Sequence, residues 1–440
     1  MTVLLLSEPP TKRRVFILLQ GPHGPFFGEL AQMLESAGAK VVRIGFNAGD
    51  ERFWPKRETY LKYAQAPESW AMQAPKIFSD LGATDLVVYG DVRPIHASAL
   101  KHARRLGLKT HIFEEGYLRP SWVTYERFGT NGYSPLMDMS LSRIKASVGE
   151  QDSAPFASPA TWGEMRQHIW HGARYQFHVL LRNAGYPGFT PHRALNVRQE
   201  FGLYAKKLAW LPVRAVRRSL ATQRIKSGGF PYHLFLLQLE HDSSFTAHCD
   251  FDSLADVVAD TVAAFAHYAP PHHHLVFKAH PLEDGRARLQ EKLAKLSDQH
   301  RLRDRLHFVA GGKLAPLLDP ARSVVTVNST AAQQALWRGI PVKALGRAVY
   351  CKPGLTSDQP LGAFFQDPQP PNRQTYREFR RFLLETSQVT GGFYAKRGRR
   401  KLLRRVVDLM LAESDPYDAL RIRDKTEHHS PQTVRTFAQR

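Results

Sequence analysis

The stretch Val15–Leu34 reads VFILLQGPHGPFFGELAQML. Its apolar opening, Val15–Leu19, has the length and composition of a buried strand. Gly21-Pro22-His23-Gly24-Pro25 breaks that run, and Leu30, Met33 and Leu34 then share one face of a helix. Pro25 suits a first helical turn, where its missing N–H would have had no partner. Strand, tight turn and helix in this order open a βαβ unit.

The pattern continues outward. Val41–Phe46, Asp85–Tyr89 and Lys109–Phe113 read as strands, with Pro94–Leu106 helical between the last two. Strands alternating with helices of this length imply a parallel sheet. Past residue 228 the alternation restarts, with strands at Tyr232–Leu239, His274–Ala279, Leu306–Val309, Val324–Val327 and Pro341–Leu345. Helices are expected at Ser253–Ala266, Arg286–Leu296 and Thr330–Trp337, and a mainly helical tail at Tyr376–Leu411. The predicted fold class is therefore α/β, with two Rossmann-like lobes in a GT-B-like arrangement and a basic, mainly helical insertion. Many nucleotide-sugar glycosyltransferases have this two-lobed form, and their ligands lie at the carboxyl ends of the strands. Fold alone does not give function. The expected division is an acceptor-side lobe at 1–150, a membrane-facing insertion at 151–228, a nucleotide-sugar lobe at 229–375 and a basic helical tail at 376–440.

Composition agrees with a folded two-domain chain. Its 440 residues are 43% hydrophobic and 11% aromatic, enough for sizeable cores. Cys249 and Cys351 are isolated, which excludes a disulfide scaffold and a thiolate zinc site and suits a reducing compartment. No apolar run approaches the roughly 18 residues of a membrane span. The N-terminal order, apolar Val3–Leu6 before Lys12–Arg14, is the reverse of a secretory signal, so a cytoplasmic location is expected.

Charge is the most informative bulk property. Lys and Arg outnumber Asp and Glu by 61 to 40, a net charge of +21, which calls for a polyanionic partner. Thr161–Lys226 holds twelve basic residues against Glu164 and Glu200, and Lys396–Arg405 holds seven with no acid. A basic run is ordinarily a solvated face. In the first block, however, Trp162, Trp170, Tyr175, Phe177, Phe201, Tyr204 and Trp210 interleave with the charge. Rings and cations together suit an anionic bilayer surface. They would also suit single-stranded nucleic acid, but no recognition-helix, zinc-finger or RNA-binding signature accompanies them.

Several constellations could carry chemistry. Gly21-x-x-Gly24-x-x-x-Gly28 is neither a dinucleotide fingerprint nor a Walker loop, and reads as a tight turn facing the cleft. Glu114-Glu115-Gly116 ends a strand; only one of the two carboxylates can readily face a cleft, where it would suit general acid–base work. Asp250-Phe251-Asp252 spells a metal–diphosphate signature, but Asp252 also stands where a helix N-cap would. His272-His273-His274 has no further metal ligands around it and reads as a polar strand entry. Lys278-Ala279-His280-Pro281 and Asn328-Ser329-Thr330 end two strands of the second lobe. One imidazole and one strand-to-helix turn on neighbouring strands would hold a phosphate diester.

Longer motifs carry a family resemblance. Leu19-Gln20-Gly21-Pro22-x-Gly24-Pro25-Phe26-Phe27, Gly45-Phe46-Asn47-x-Gly49-Asp50, Tyr89-Gly90-Asp91-x-Arg93-Pro94 and Phe113-Glu114-Glu115-Gly116-Tyr117-Leu118-Arg119-Pro120 resemble capsular polysaccharide export proteins of the KpsS type. So do Leu237-Gln238-Leu239-x-x-Asp242, Lys278-x-His280-Pro281 and Val327-Asn328-Ser329-Thr330, and the likeness runs from about Val15 to Pro353. It implies a retaining β-Kdo transferase peripheral to the inner face of the inner membrane. Such an enzyme takes CMP-Kdo as donor and a (lyso)phosphatidylglycerol as acceptor, needs no cofactor or metal, and works with other capsule synthesis and export proteins. Carried over by motif, His280, Pro281, Ser329 and Thr330 would bind the CMP phosphate, with Asn328, Gln238, Lys278, Gly21, Gly24 and Arg119 in the substrate-binding set. Asp242 would be the nucleophile and Glu115 its catalytic partner. A transferase for another nucleotide sugar, or a noncatalytic lipid- or polysaccharide-binding component, is the alternative reading.

Overall fold

The computed structural model describes residues 13–148, 164–189, 202, 211–239, 245, 248–281, 283, 288–418 and 420. Two sheets organise them. The first contains β1 (Val15–Leu18), β2 (Lys40–Gly45), β3 (Tyr60–Lys62), β4 (Asp85–Tyr89), β5 (Lys109–Glu115) and β6 (Trp122–Glu126), joined by the late strand β12 (Gln388–Thr390). Their order is β12-β6-β5-β4-β1-β2-β3. The five strands from β5 to β3 are parallel, while β6 and β12 add antiparallel pairs at one edge. The second sheet is wholly parallel, in the order β11-β10-β7-β8-β9, from β7 (Tyr232–Leu236), β8 (His274–Lys278), β9 (Leu306–Val309), β10 (Ser323–Thr326) and β11 (Val342–Ala344).

The central strands are mostly apolar because helices cover both of their faces. A buried polar residue such as His233 is paired, here with Ser323 at 2.7 Å. Along β1 and its exit, Phe16 and Leu18 pack toward Phe26, Leu30 and Leu34, whereas Ile17 and Leu19 pack toward Trp70, Phe78 and Leu100. The second lobe repeats this, with Phe235 and Phe277 meeting Val258 and Phe265 on one face while Leu234 and Val276 meet Ala335 and Leu336 on the other. In both sheets the first strand is central and the chain winds first to one side, then to the other. The order therefore reverses between β1 and β4, and again between β7 and β10. Those two reversals open crevices at the carboxyl edges, where ligands of such sheets bind. The GT-B-like arrangement of two Rossmann-like lobes is the architecture of this protein.

Several elements differ from expectation for identifiable reasons. Strands β3, β6 and β12 are only three to five residues long and carry little pattern of their own. Ser253, not Asp252, caps the Leu254–Tyr268 helix, its hydroxyl accepting from the Asp256 amide at 3.2 Å. The helix expected from Thr330 begins as a 3-10 turn, Thr330–Ala332, followed by the six-residue Gln333–Arg338 helix.

The segment from Tyr376 onward forms part of the Arg373–Thr386 helix, then β12, then the Lys396–Leu411 helix. The last of these returns to the first lobe, burying Leu402, Leu403, Val406 and Met410 against Phe16, Leu30 and Leu34. Within the expected basic surface block, Arg399 is instead buried and makes a two-pronged pair with Glu29 at 2.8 and 2.9 Å. Lys396, Arg397, Arg400, Lys401, Arg404 and Arg405 are exposed along the opposite face. The same 3.6-residue periodicity that buries one side of the helix places these six charges together on the other.

Candidate active site between the two carboxyl edges

The second-lobe edge is built on its order reversal. Gln238 follows β7 and Asn328 follows β10, and the two side chains lock. Gln238 Nε2 donates to Asn328 Oδ1 at 2.7 Å, and the Asn328 amide donates back to Gln238 Oε1 at 2.9 Å. Both are buried, so these predicted substrate-binding residues hold the edge together from beneath. Ser329 and Thr330 stand half-exposed above them. Ser329 Oγ accepts from the Ala331 amide at 3.3 Å, and the Ser329 carbonyl accepts from Tyr350 at 2.7 Å, which pins the turn. The strands carrying the two motifs are not neighbours as expected, because the first strand of the lobe, β7, takes the central place between β10 and β8. At the end of β8 Lys278 is buried, His280 is half-buried and Pro281 is exposed. Burial and the Arg218 charge push the Lys278 ammonium down to about 8. Asp242 lies outside the described residues.

The first-lobe edge is acidic and phenolic. Glu115, the last residue of β5, accepts from the Tyr89 and Tyr394 hydroxyls, each at 3.2 Å. Burial holds both phenols well above their usual range, so they remain protonated donors. Glu114 turns back onto the chain and accepts the Glu115 amide at 3.0 Å. Glu115 thus bridges the two phenols, while the second Glu114 oxygen lies beside Gly90 and Arg93, 3.3 Å from where a methyl group on Gly90 would stand. His168, from the Glu164–Arg182 helix, stacks on Tyr394 with ring centroids 4.0 Å apart.

Beside this edge, at the β1–β4 reversal, lies a cavity of about 250 Å³. Gln20, Phe46, Tyr63, Arg93, Ile95 and Phe189 line it. The Arg93 guanidinium lies 5.2 Å from the Tyr89 ring centroid. Gln20 is held by Asp50, which also accepts from Arg43 and the Phe46 amide at 3.0 Å and from Tyr175 at 3.2 Å. Asp50 thus anchors the insertion helix onto the first lobe. The predicted glycines serve that packing: Gly21 lies under the Phe27 ring, and Gly24, at φ +125°, faces His171 of the insertion. Arg119 is exposed and donates to the Gly116 carbonyl at 3.3 Å.

The lobes meet through the segments leaving these edges. Gln333, beyond β10, donates to the carbonyl of Tyr117, beyond β5, at 2.9 Å. Tyr133 sits edge-on to His248 with centroids 4.9 Å apart. Nearby, Asp91 Oδ2 accepts the Thr130 amide at 2.7 Å, and burial raises its carboxyl above the usual range. The histidine run is spent on packing: His273 bonds His233 at 3.1 Å and His274 bonds His307 at 2.8 Å.

A family model described as "Capsule polysaccharide biosynthesis protein" matches residues 84–394, which takes in both edges. The chain belongs to that family. Capsule polysaccharide export protein KpsS of Escherichia coli is 31% identical over 398 residues, spanning 90% of this chain and 99% of that protein. Capsule polysaccharide modification protein LipB of Neisseria meningitidis serogroup B is 28% identical, spanning 86% of this chain and 91% of that protein. Among solved structures, the β-Kdo 2,7 transferase of Thermosulfurimonas dismutans KpsC is a distant match, 13% identical with a TM-score of 0.41 over 90% of this chain and 100% of that one. Within this capsule-family member, Arg93, Asp91, His248 and Arg218 are site-edge residues that the motif reading did not single out. Asp91 and Arg93 stood in a quoted motif just past β4, and that position is the signal that could have found them.

Proposed function

We propose that this protein is a retaining glycosyltransferase that moves β-Kdo from CMP-Kdo onto a (lyso)phosphatidylglycerol lipid at an anionic membrane surface. The observation that carries the reading is the opposed chemistry of the two carboxyl edges. Cationic Lys278, with His280 and the Ser329–Thr330 turn, suits an anionic donor on the second lobe. Glu115 and the adjoining cavity suit an acceptor hydroxyl on the first. On this reading Asp242 attacks the anomeric carbon and CMP departs with the bonding electrons on its phosphate oxygen. The acceptor hydroxyl then displaces Asp242 and passes its proton to Glu115, so two inversions give net retention.

Membrane docking rests on the insertion. Ile169, Trp170, Phe177 and Leu181 of the Glu164–Arg182 helix are exposed, as are Val213, Val216 and Leu220 of the Leu211–Ser227 helix. Arginines flank both stripes, the composition of a helix lying in a headgroup layer. Among the described residues no helix is long and apolar enough to cross a membrane. Incubating pure protein with CMP-Kdo and a lysophosphatidylglycerol tests the function. CMP release with a lipid mass gain of one Kdo is expected, and binding of both without turnover would refute catalysis.

A further inference from the structure

The Leu211–Ser227 helix has a second face. Ala221 and Ile225 pack into the second-lobe core, and Arg218 lies on the same side, three and seven residues before them. Its side chain runs over the loop that leaves β9. A methyl group built on Gly312 would come within 2.7 Å of Arg218 Cδ and 3.1 Å of Nε. One built on the adjacent Gly311 would lie 3.3 Å from Pro281 Cα. Both glycines have positive φ, +77° and +87°, so the loop turns tightly with no side chain between Arg218 and the strand edge. Arg218 therefore reaches the edge that carries Lys278 and His280.

Lys278 is 5% exposed, and its one hydrogen bond among the described residues is to the Ala279 carbonyl at 3.4 Å. No described carboxylate pairs with it or with Arg218, whereas other arginines of this lobe find acids, as Arg338 does with Asp319 at 2.9 Å. A buried ammonium beside a guanidinium repels it and is poorly solvated. The group that satisfies both cations at once is an oxyanion.

We propose that Arg218 and Lys278 form an oxyanion clamp for the donor, so that the basic insertion completes the nucleotide-sugar site. This rests on the donor reading above. The clamped group is either the phosphate ester or the carboxylate of the sugar, since both present the same charge-assisted acceptors.

Calorimetric titration of the full chain with CMP and with CMP-Kdo decides between them. Arg218→Ala and Lys278→Met should each weaken CMP-Kdo binding roughly ten- to a hundredfold. If the clamp takes the phosphate, CMP weakens equally; if it takes the carboxylate, CMP is unaffected. Arg217→Ala, an exposed neighbour on the same helix, should bind as the wild type does. Arg218→Lys should recover part of the loss, which separates charge from helix packing. Wild-type protein that binds the donor, with affinity unchanged in both variants, would overturn the clamp alone. Wild-type protein that binds no cytidine nucleotide would overturn the donor reading and the clamp with it.

Discussion

Lys278→Met should stabilise the unliganded protein while removing part of its function. The ammonium is buried beside Arg218, and its pKa falls from 10.5 in the unfolded chain to about 8. At about 1.4 kcal/mol per unit, this corresponds to a penalty of about 3 kcal/mol. The sign follows from proton binding: between these two values the unfolded state holds more protons, so stability rises with pH there. The penalty is therefore present in full below pH 8 and is relieved as pH climbs toward 10.5. Methionine matches the length of the lysine stem without its charge. Replacing an unpaired buried charge by an apolar group of similar volume removes the cost. For a lobe of about 150 residues, 1 kcal/mol moves the melting temperature by roughly 2–4 °C. Calorimetric scans of the unliganded variant at pH 7 should show the second lobe melting several degrees higher than wild type. The gain should shrink as pH approaches 10. A variant that melts lower at pH 7, or whose gain is constant with pH, would refute the assignment of Lys278 as a strained, anion-seeking cation.

Other expectations are independent of that one. Asp242→Asn should retain donor binding and lose turnover by several orders of magnitude, and Glu115→Gln given CMP-Kdo alone should show one added Kdo by intact mass; an adduct mapped to another carboxylate rejects Asp242. His280→Ala should lower activity at least about tenfold through loss of a charge-assisted hydrogen bond, and unaltered turnover and CMP affinity would exclude its role. Co-sedimentation with vesicles should rise with phosphatidylglycerol content and fall with salt, and Trp170→Asp with Leu220→Asp should weaken it; equal binding to neutral vesicles refutes the electrostatic account. Glu126 is buried beneath the Tyr117, Ser134 and Tyr417 hydroxyls, and burial raises its carboxyl to about 7. Its folded form therefore favours the proton: stability from this group is complete below about pH 4.5 and lost as pH rises through 7, and Glu126→Gln should flatten that decline in urea titrations at pH 5 and 8.

The two lobes were legible in the chain because their central strands are buried on both faces. Such a strand reads as a nearly continuous apolar run, and Val15–Leu19 and Tyr232–Leu239 announce themselves locally. Turn chemistry was equally local: Pro25 immediately precedes its helix, and Pro281 ends the strand segment at Lys278–His280. Helical periodicity marked the tail but could not say what its apolar face would meet. The return of Leu402 and Met410 from near the far end of the chain to the first sheet is a long-range packing choice.

The site divides the same way. Motif position placed His280, Ser329, Thr330 and Glu115 at strand ends, and strand ends are where a parallel sheet exposes backbone and side chains to ligand. What each side chain does there depended on partners distant in the chain. Gln238 and Asn328, 90 residues apart, consume each other's amides. Arg399, read within a charged surface run, is instead buried against Glu29, 370 residues away. Arg218 looked like one more cation of a solvated block until the helix turned its inner face to the loop at Gly311–Gly312. Local sequence sets strand, turn and helix because those depend on neighbours within a few residues. The pairing of charges depends on which surfaces the folded lobes bring together, and only the tertiary structure decides that.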